Sequence, residues 1–384
     1  MKRLVLGVLV WLVSLACLSE SAQSWDLPLD VDVTHIKFNY DTQSRQYDGL
    51  TIRKNKDTAI EAPEWVASPA KNEKFAYIKG DSDRKVQAKF YTSESNVEHM
   101  HIEADVDPNP SIPIGDLGEE QVWFVSNPTS FYTTFTSSID VPNDVNKRTF
   151  NWRWHVTKVN GESVGSQEIG YTANHTFYTL LDVPQSPWDW YDDGENEEEQ
   201  VWTEVLDDAC NWAKGETSPD SVATKITEGI YYMGDTDGDI DYDWPQGRCI
   251  YSSGTGNRTF NLTGFLGDIN SSSSVIVNCS DVGNLFNIYS SAVGCSSQSK
   301  RIWNWWYGFE TKSIDPIGTP GWATTGWYYH QYGWLSSQVD DACIRVNQGS
   351  PILPSNMSQS TYDGYLLAPG EEYTGSDTGT GSVY

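Results

Sequence analysis

The sequence predicts an N-terminal all-β sandwich followed by a C-terminal α+β domain, on three observations. Residues 25–182 hold about nine short runs of β-branched and aromatic residues, separated by Pro, Gly, Asn and Asp, with no helical period between them. An acidic stretch with Pro and Gly, PQSPWDWYDDGENEEEQ over 184–200, interrupts that pattern. Beyond it, apolar residues recur at helical spacing before further strand-like runs.

Residues 1–24 read as a secretory signal: Lys2 and Arg3, an apolar run from Leu4 to Leu18, then small and polar residues to Ser24. The run is short for a membrane span, and no later stretch is long enough to be one. Cys17 has Ser14 three residues before it, where a lipid-attachment site wants a branched aliphatic residue. A secreted or extracellular soluble protein is expected. The 384 residues carry 53 acids against 25 bases, a formal net charge of −28, and a field of that sign repels nucleic acid and anionic membranes. Neither is an expected partner.

Along residues 25–182 the runs VDVTHIKFNY, GLTIRKN, KFAYIKG, KVQAKFYT, VEHMHIEADV, EQVWFVS, FYTTFTS, RTFNWRWHVTKV and HTFYTLL read as strands. Phe150, Trp152, Trp154 and Val156 alternate with Asn151, Arg153 and His155, giving one buried and one wet face. Asn160-Gly161 signals a hairpin turn. The count and spacing suggest an immunoglobulin-like sandwich. His99, His101 and Glu103 share a strand face and could hold a metal, but a solvated face is the better reading.

After residue 183, Val201, Trp202, Val205, Leu206, Ala209 and Trp212 form a helical stripe closed by Gly215. Ser218-Pro219 opens a second helix that buries Val222, Ile226 and Ile230. Asp235, Asp237 and Asp239 then stand at alternate positions, a spacing that suits Ca²⁺. Ile240 stands where an EF-hand loop needs Gly, so a solvated acidic loop is preferred and no cofactor is assigned. Residues 371–384, EEYTGSDTGTGSVY, read as a disordered tail after a domain spanning 183–370.

The chemistry centres on NCSDVGNLFNIYSSAVG, residues 278–294. Val282, Leu285, Phe286, Tyr289, Ala292 and Val293 form the apolar stripe of a helix, with Cys279 in its first turn. Free N–H groups and the helix dipole there favour a thiolate. With Cys17 removed, Cys210, Cys249, Cys279, Cys295 and Cys343 remain, an odd count that fits two disulfides and one free thiol, Cys279. Downstream, Trp327–Leu335 and Val339–Val346 form a hairpin candidate about Leu335–Ser336. That turn sets His330 across from Asp340 and Asp341, so a base and an orienting acid come within reach of a thiol.

The order Cys279, His330, Asp341, with NCSDVGNLFNIYSSAVGC, the His330 strand and VDDAC, resembles the transglutaminase-like family of papain-like cysteine enzymes over roughly residues 200–367. The resemblance implies a papain-like, transglutaminase-like α+β domain. In it Cys279 is the nucleophile, His330 the base and Asp341 the orienting acid, acting on peptide or glutamine-type amides of a peptide or protein substrate. It also implies a Cys295–Cys343 disulfide, leaving Cys210–Cys249 for the second. The family's frequent Gly and Trp at two flanking positions are here Asn278 and Tyr332. Hydrolysis, as a cysteine protease or amidase, is favoured over transamidation. The alternative is a non-catalytic cell-surface or adhesion protein that binds through its Trp-rich surface, Trp303-Asn304-Trp305-Trp306-Tyr307. Nothing in the sequence decides the oligomeric state.

Overall fold

The structure is a computed structural model that describes residues 28–40, 48–107, 114–124, 128–188, 200–235, 238–271, 275–346 and 350–384. The segment read as a signal, residues 1–24, lies outside the described residues, as does most of the acidic stretch before residue 200.

Two five-stranded sheets form the N-terminal half. One runs Thr133–Thr136, Lys85–Thr92, Val31–Lys37, Trp65–Val66, Lys71–Asn72; the other runs Phe75–Ile78, Glu162–Leu180, Asn146–Val159, His99–Val106, Leu117–Trp123. Alternation decides which side chains meet between them. Val33, Ile36, Phe90, Ile102, Phe150, Trp152, Trp154 and Phe177 are buried in one shared core. Asn160 and Gly161 both take positive φ at the long hairpin, the geometry a two-residue turn needs. Phe75–Ile78 pairs parallel to Glu162–Leu180 at one edge of the second sheet. His101 Nδ1 is committed to a hydrogen bond with Glu119 at 3.0 Å rather than to a ligand set with His99.

Among the described residues five α-helices follow: α1 Thr203–Trp212, α2 Pro219–Asp235, α3 Leu262–Asn270, α4 Cys279–Ala292 and α5 Gln359–Leu366. They share a second core with the strands around them, and that core reaches under the sandwich through Leu50, Ile52, Tyr178 and Leu180. Asp207 of α1 ties the two halves. It accepts from Lys74 at 2.5 Å, Lys147 at 2.7 Å and the Tyr178 hydroxyl at 2.6 Å.

The sequence stripe on α4 understates its burial. All fourteen residues of the helix are buried, so it is a central helix packed on every side. Its asparagines find partners on neighbouring loops. Asn284 donates to Ser252 and to the Asn257 carbonyl, and Asn287 to the Ser297 carbonyl. Beside it lies a five-stranded sheet ordered Met357–Ser358, Gln338–Asp340, Tyr329–Leu335, Gln298–Trp303, Gly375–Gly379.

The last strand corrects the expectation of a disordered tail. Gly375–Gly379 completes the edge of that sheet and Ser382–Val383 pairs with Thr259–Phe260. A segment poor in apolar side chains still offers its full set of backbone donors and acceptors. Arg258 anchors this one through Asp377 at 3.1 Å. Among the described residues no helix is long and apolar enough to cross a membrane.

Candidate active site

Cys279 owes its position to a cap. The strand Val275–Val277 pairs parallel to Ile240–Tyr242 and delivers Asn278 in extended conformation as the N-cap of α4. The Asn278 side chain accepts from the N–H groups of Ser280 at 2.9 Å and Asp281 at 3.1 Å, while the Asp281 carboxylate accepts from the Asn278 N–H at 3.1 Å. This reciprocal capping box makes Cys279 the first helical residue. Asp281 also accepts from the N–H groups of Ile250, Tyr251 and Ser252, binding the 250–252 loop to the same turn. The Asn278 amide donates to the Gly247 carbonyl at 2.9 Å and to the Tyr329 hydroxyl at 3.2 Å.

The His330 strand, Tyr329–Leu335, lies against α4 because two glycines leave room. A Cβ on Gly283 would stand 3.1 Å from the Tyr332 nitrogen, and one on Gly333 would stand 2.2 Å from the Phe286 ring. This close approach carries the Gln331 backbone N–H onto the Cys279 thiol. His330 Nε2 lies 2.8 Å from Asp341 Oδ2, with both side chains buried. A carboxylate only accepts, so Nε2 carries the proton and Nδ1 is left as the basic nitrogen. Nδ1 is buried and has no hydrogen-bond partner among the described residues. Asp341 also accepts from the Tyr362 hydroxyl at 2.5 Å and the Cys343 N–H at 2.9 Å. Trp327 covers the pair, its ring edge-on to His330 at 4.7 Å between centroids.

The hairpin register differs from the expected one. Ser336 and Ser337 both take positive φ in a two-residue turn, pairing Leu335 with Gln338 and Gly333 with Asp340. Asp341 then leaves the ladder, its N–H going to the Pro354 carbonyl, and its side chain reaches His330 from beyond the strand end. Asp340 takes a separate role. It accepts from the Asn356 N–H at 2.9 Å, and burial raises its carboxyl to about 7.

Two further expectations need correcting. Cys210, Cys249, Cys279, Cys295 and Cys343 are all free thiols, so neither Cys295–Cys343 nor Cys210–Cys249 forms. Each sits against a different element: Cys295 beside the Pro219 carbonyl at the start of α2, Cys249 against Asn278 and Tyr329, Cys210 within α1, and Cys343 beside Asp341. The resting thiolate expected at the helix start also fails. Burial pushes the Cys279 thiol up, and the Gln331 N–H offsets only part of that, so the sulfur is protonated at rest and needs a base. Asp237 and the Asp235 side chain of the acidic run lie outside the described residues. Among the described residues no group of three His, Cys, Asp or Glu side chains could hold a metal ion.

Tyr242 is a site residue that the sequence reading missed. Its hydroxyl hydrogen-bonds the Cys279 thiol from the strand paired with Val275–Val277. The signal was an aromatic residue on a short strand, IDY, before the turn DWPQG, which alone names no partner. Cys279 opens onto a cleft of about 280 Å³ lined by Tyr242, Trp244, Trp322, Trp327 and Tyr329.

No family model and no curated protein matches the sequence. Among solved structures, the chain is similar to the transglutaminase of red sea bream, at 11% identity and a TM-score of 0.40. The match covers 82% of this chain and 53% of that one, so this chain spans about half the length of the transglutaminase. The likeness is distant and assigns no residue.

Proposed function

We propose that this protein is an exported thiol enzyme that cleaves peptide or glutamine-type amides through an acyl-enzyme, with Cys279, His330 and Asp341 as its triad. One observation carries the reading. A buried His330–Asp341 pair leaves a ring nitrogen without a partner, and the N–H of the next residue in the strand bonds the thiol at the start of α4. In this reading His330 Nδ1 takes the thiol proton as Sγ attacks the carbonyl carbon. Asp341 holds the ring and stabilises the imidazolium. The Cys279 N–H has no acceptor within the helix and, with the Tyr242 hydroxyl, supplies donors to the oxyanion. Collapse breaks the C–N bond, and the amine leaves with the proton from His330. Water, deprotonated by His330, attacks the thioester and returns the thiol. An amine in place of water makes the same step a transamidation.

The test is alkylation of the native protein with iodoacetamide, with the label mapped by mass spectrometry. It is paired with wild type against Cys279→Ala on a peptide library, scored for hydrolysis and for amine incorporation. Labelling at Cys279 and activity lost in the variant are expected; an unreactive Cys279 sinks the enzyme reading. The alternative is an adhesion or surface-binding role, favoured by the exposure of Trp305, Trp306 and Tyr307. Binding that survives Cys279→Ala and is lost on replacing these three would support it.

A further inference from the structure

Asp341 is fully buried, so its negative charge depends on the groups packed around it. The titratable groups about the His330–Asp341 pair are Cys279 and Asp281 of α4, Tyr332 of the His330 strand, Cys343 just beyond Asp341, and Tyr362 of α5. Tyr242 joins them through the Cys279 thiol. None of these is a cation. Burial holds the three phenols and both thiols in their neutral forms. On the adjoining strand Ile302 stands opposite His330, and Lys300 is engaged with the Gln359 side chain at 2.9 Å and with the Trp334 ring. Hydrogen bonds are therefore what holds the Asp341 charge.

The Cys343 N–H takes Oδ1 at 2.9 Å, while His330 Nε2 and the Tyr362 hydroxyl share Oδ2 at 2.8 and 2.5 Å. Tyr362 is built in for this contact. Its ring packs on Tyr332 at 5.1 Å between centroids, and Tyr332 lies 5.6 Å from the His330 ring. The helix that carries it, α5, is docked by the Tyr332 hydroxyl on Gln359 at 3.0 Å and by the Lys312 N–H on the Leu366 carbonyl at 2.7 Å.

The two donors on Oδ2 act at different moments. When the imidazole is neutral, the carboxylate carries a charge that no cation offsets, and a phenolic O–H on the same oxygen is worth most. When the imidazole is protonated, the imidazolium offsets that charge and the phenol is worth less. A Tyr362 donor thus favours the unprotonated pair, which is the form that leaves Nδ1 free.

We propose that Tyr362 is a positioning residue of the triad, which keeps the His330–Asp341 pair anionic so that Nδ1 can take the thiol proton near neutral pH. The proposal rests on the thiol-enzyme reading and adds to it a fourth group and a pH dependence.

The test is the rate of Cys279 labelling by iodoacetamide against pH, on the full chain, with circular dichroism to show that each variant is folded. Tyr362→Phe keeps the ring and removes the donor. The rise of its labelling rate with pH should move up by about 0.5–1 unit, so that labelling on that limb is about 3–10-fold slower, and the rates should meet those of wild type above it. The shift is smaller than the full worth of a charge-assisted bond because the hydroxyl serves the carboxylate in both forms. Placing 3-fluorotyrosine at position 362, a stronger donor of nearly the same shape, should move the limb to lower pH. Tyr332→Phe removes the bond that docks α5 but keeps the Tyr362 hydroxyl, and should leave the limb where it is. A limb that stays in place in Tyr362→Phe, or a loss equal at every pH, would overturn the proposal and leave the thiol reading intact. Wild-type Cys279 that takes no label, or a limb that persists unchanged in His330→Ala, would overturn both.

Discussion

Replacing Asp341 by Asn keeps the shape of a buried side chain and removes one of its two acceptor oxygens. Three donors converge on the native carboxylate: His330 Nε2 at 2.8 Å, the Tyr362 hydroxyl at 2.5 Å and the Cys343 N–H at 2.9 Å. An amide oxygen can serve His330 and Tyr362 only by turning its NH₂ group toward the Cys343 N–H. Two donors then face each other in a buried place, at about 1–3 kcal/mol. Turned the other way, the NH₂ group donates to Nε2, the imidazole proton moves to Nδ1, and the base is lost. Either outcome also removes the negative charge that stabilises the imidazolium, worth about 1.5–3 kcal/mol for a charge-assisted bond. The first cost falls on folding stability and the second on the reaction, where about 1.5–3 kcal/mol slows labelling by about 10–10²-fold at a factor of ten per 1.4 kcal/mol. The assay is the rate of iodoacetamide labelling at Cys279, with circular dichroism to show that the variant is folded. A folded Asp341→Asn protein labelled within about threefold of wild type would refute the assignment of Asp341 as the orienting group.

Other predictions concern neighbouring groups. Tyr242→Phe should slow turnover by about 10²-fold or more with little change in Cys279 labelling, because an oxyanion donor acts in the transition state; equal losses in both would mean the hydroxyl only positions the thiol. Asp281→Asn faces an NH₂ group toward N–H donors that all converge on the native carboxylate, so it should lower the unfolding free energy by about 2–4 kcal/mol in urea titrations. His175, enclosed by Phe38, Phe150 and Trp152 with both ring nitrogens unpartnered among the described residues, is held down to about 3 by burial. The unfolded chain therefore binds the extra proton first, and stability is lost as pH falls from about 6.5 toward 3, by up to about 4–5 kcal/mol. His175→Phe should flatten that limb in urea titrations at several pH values. Glu64 and Asp340, raised to about 7 by burial, act in the opposite sense as pH rises from about 4 to 7, so the wild-type minus variant difference isolates the histidine.

Much of this was legible in the sequence, for local reasons. Alternation in TFNWRWHV foretold which residues the sandwich buries, Asn160-Gly161 foretold its turn, and the apolar spacing after Asn278 foretold a helix beginning at Cys279. These depend on periods of two and 3.6 residues and on caps, which neighbouring residues dictate by themselves. His330 and Asp341 could be named, but not how they meet. A two-residue turn shifts the register, and only the departure of Asp341 toward Pro354 brings its carboxylate to the ring. The thiols misled because pairing depends on where side chains point in space, and five cysteines on separate elements leave no count to infer it from. Burial reversed the charge state expected of Cys279, since desolvation by the whole fold outweighs one helix end. Composition also misread the tail, whose order comes from a sheet edge supplied by Gln298–Trp303. Sequence alone determined the elements and the chemical groups this chain carries. Only tertiary packing decided which groups share a cavity, what each hydrogen-bonds and which protons they hold, because those depend on contacts between segments far apart in the chain.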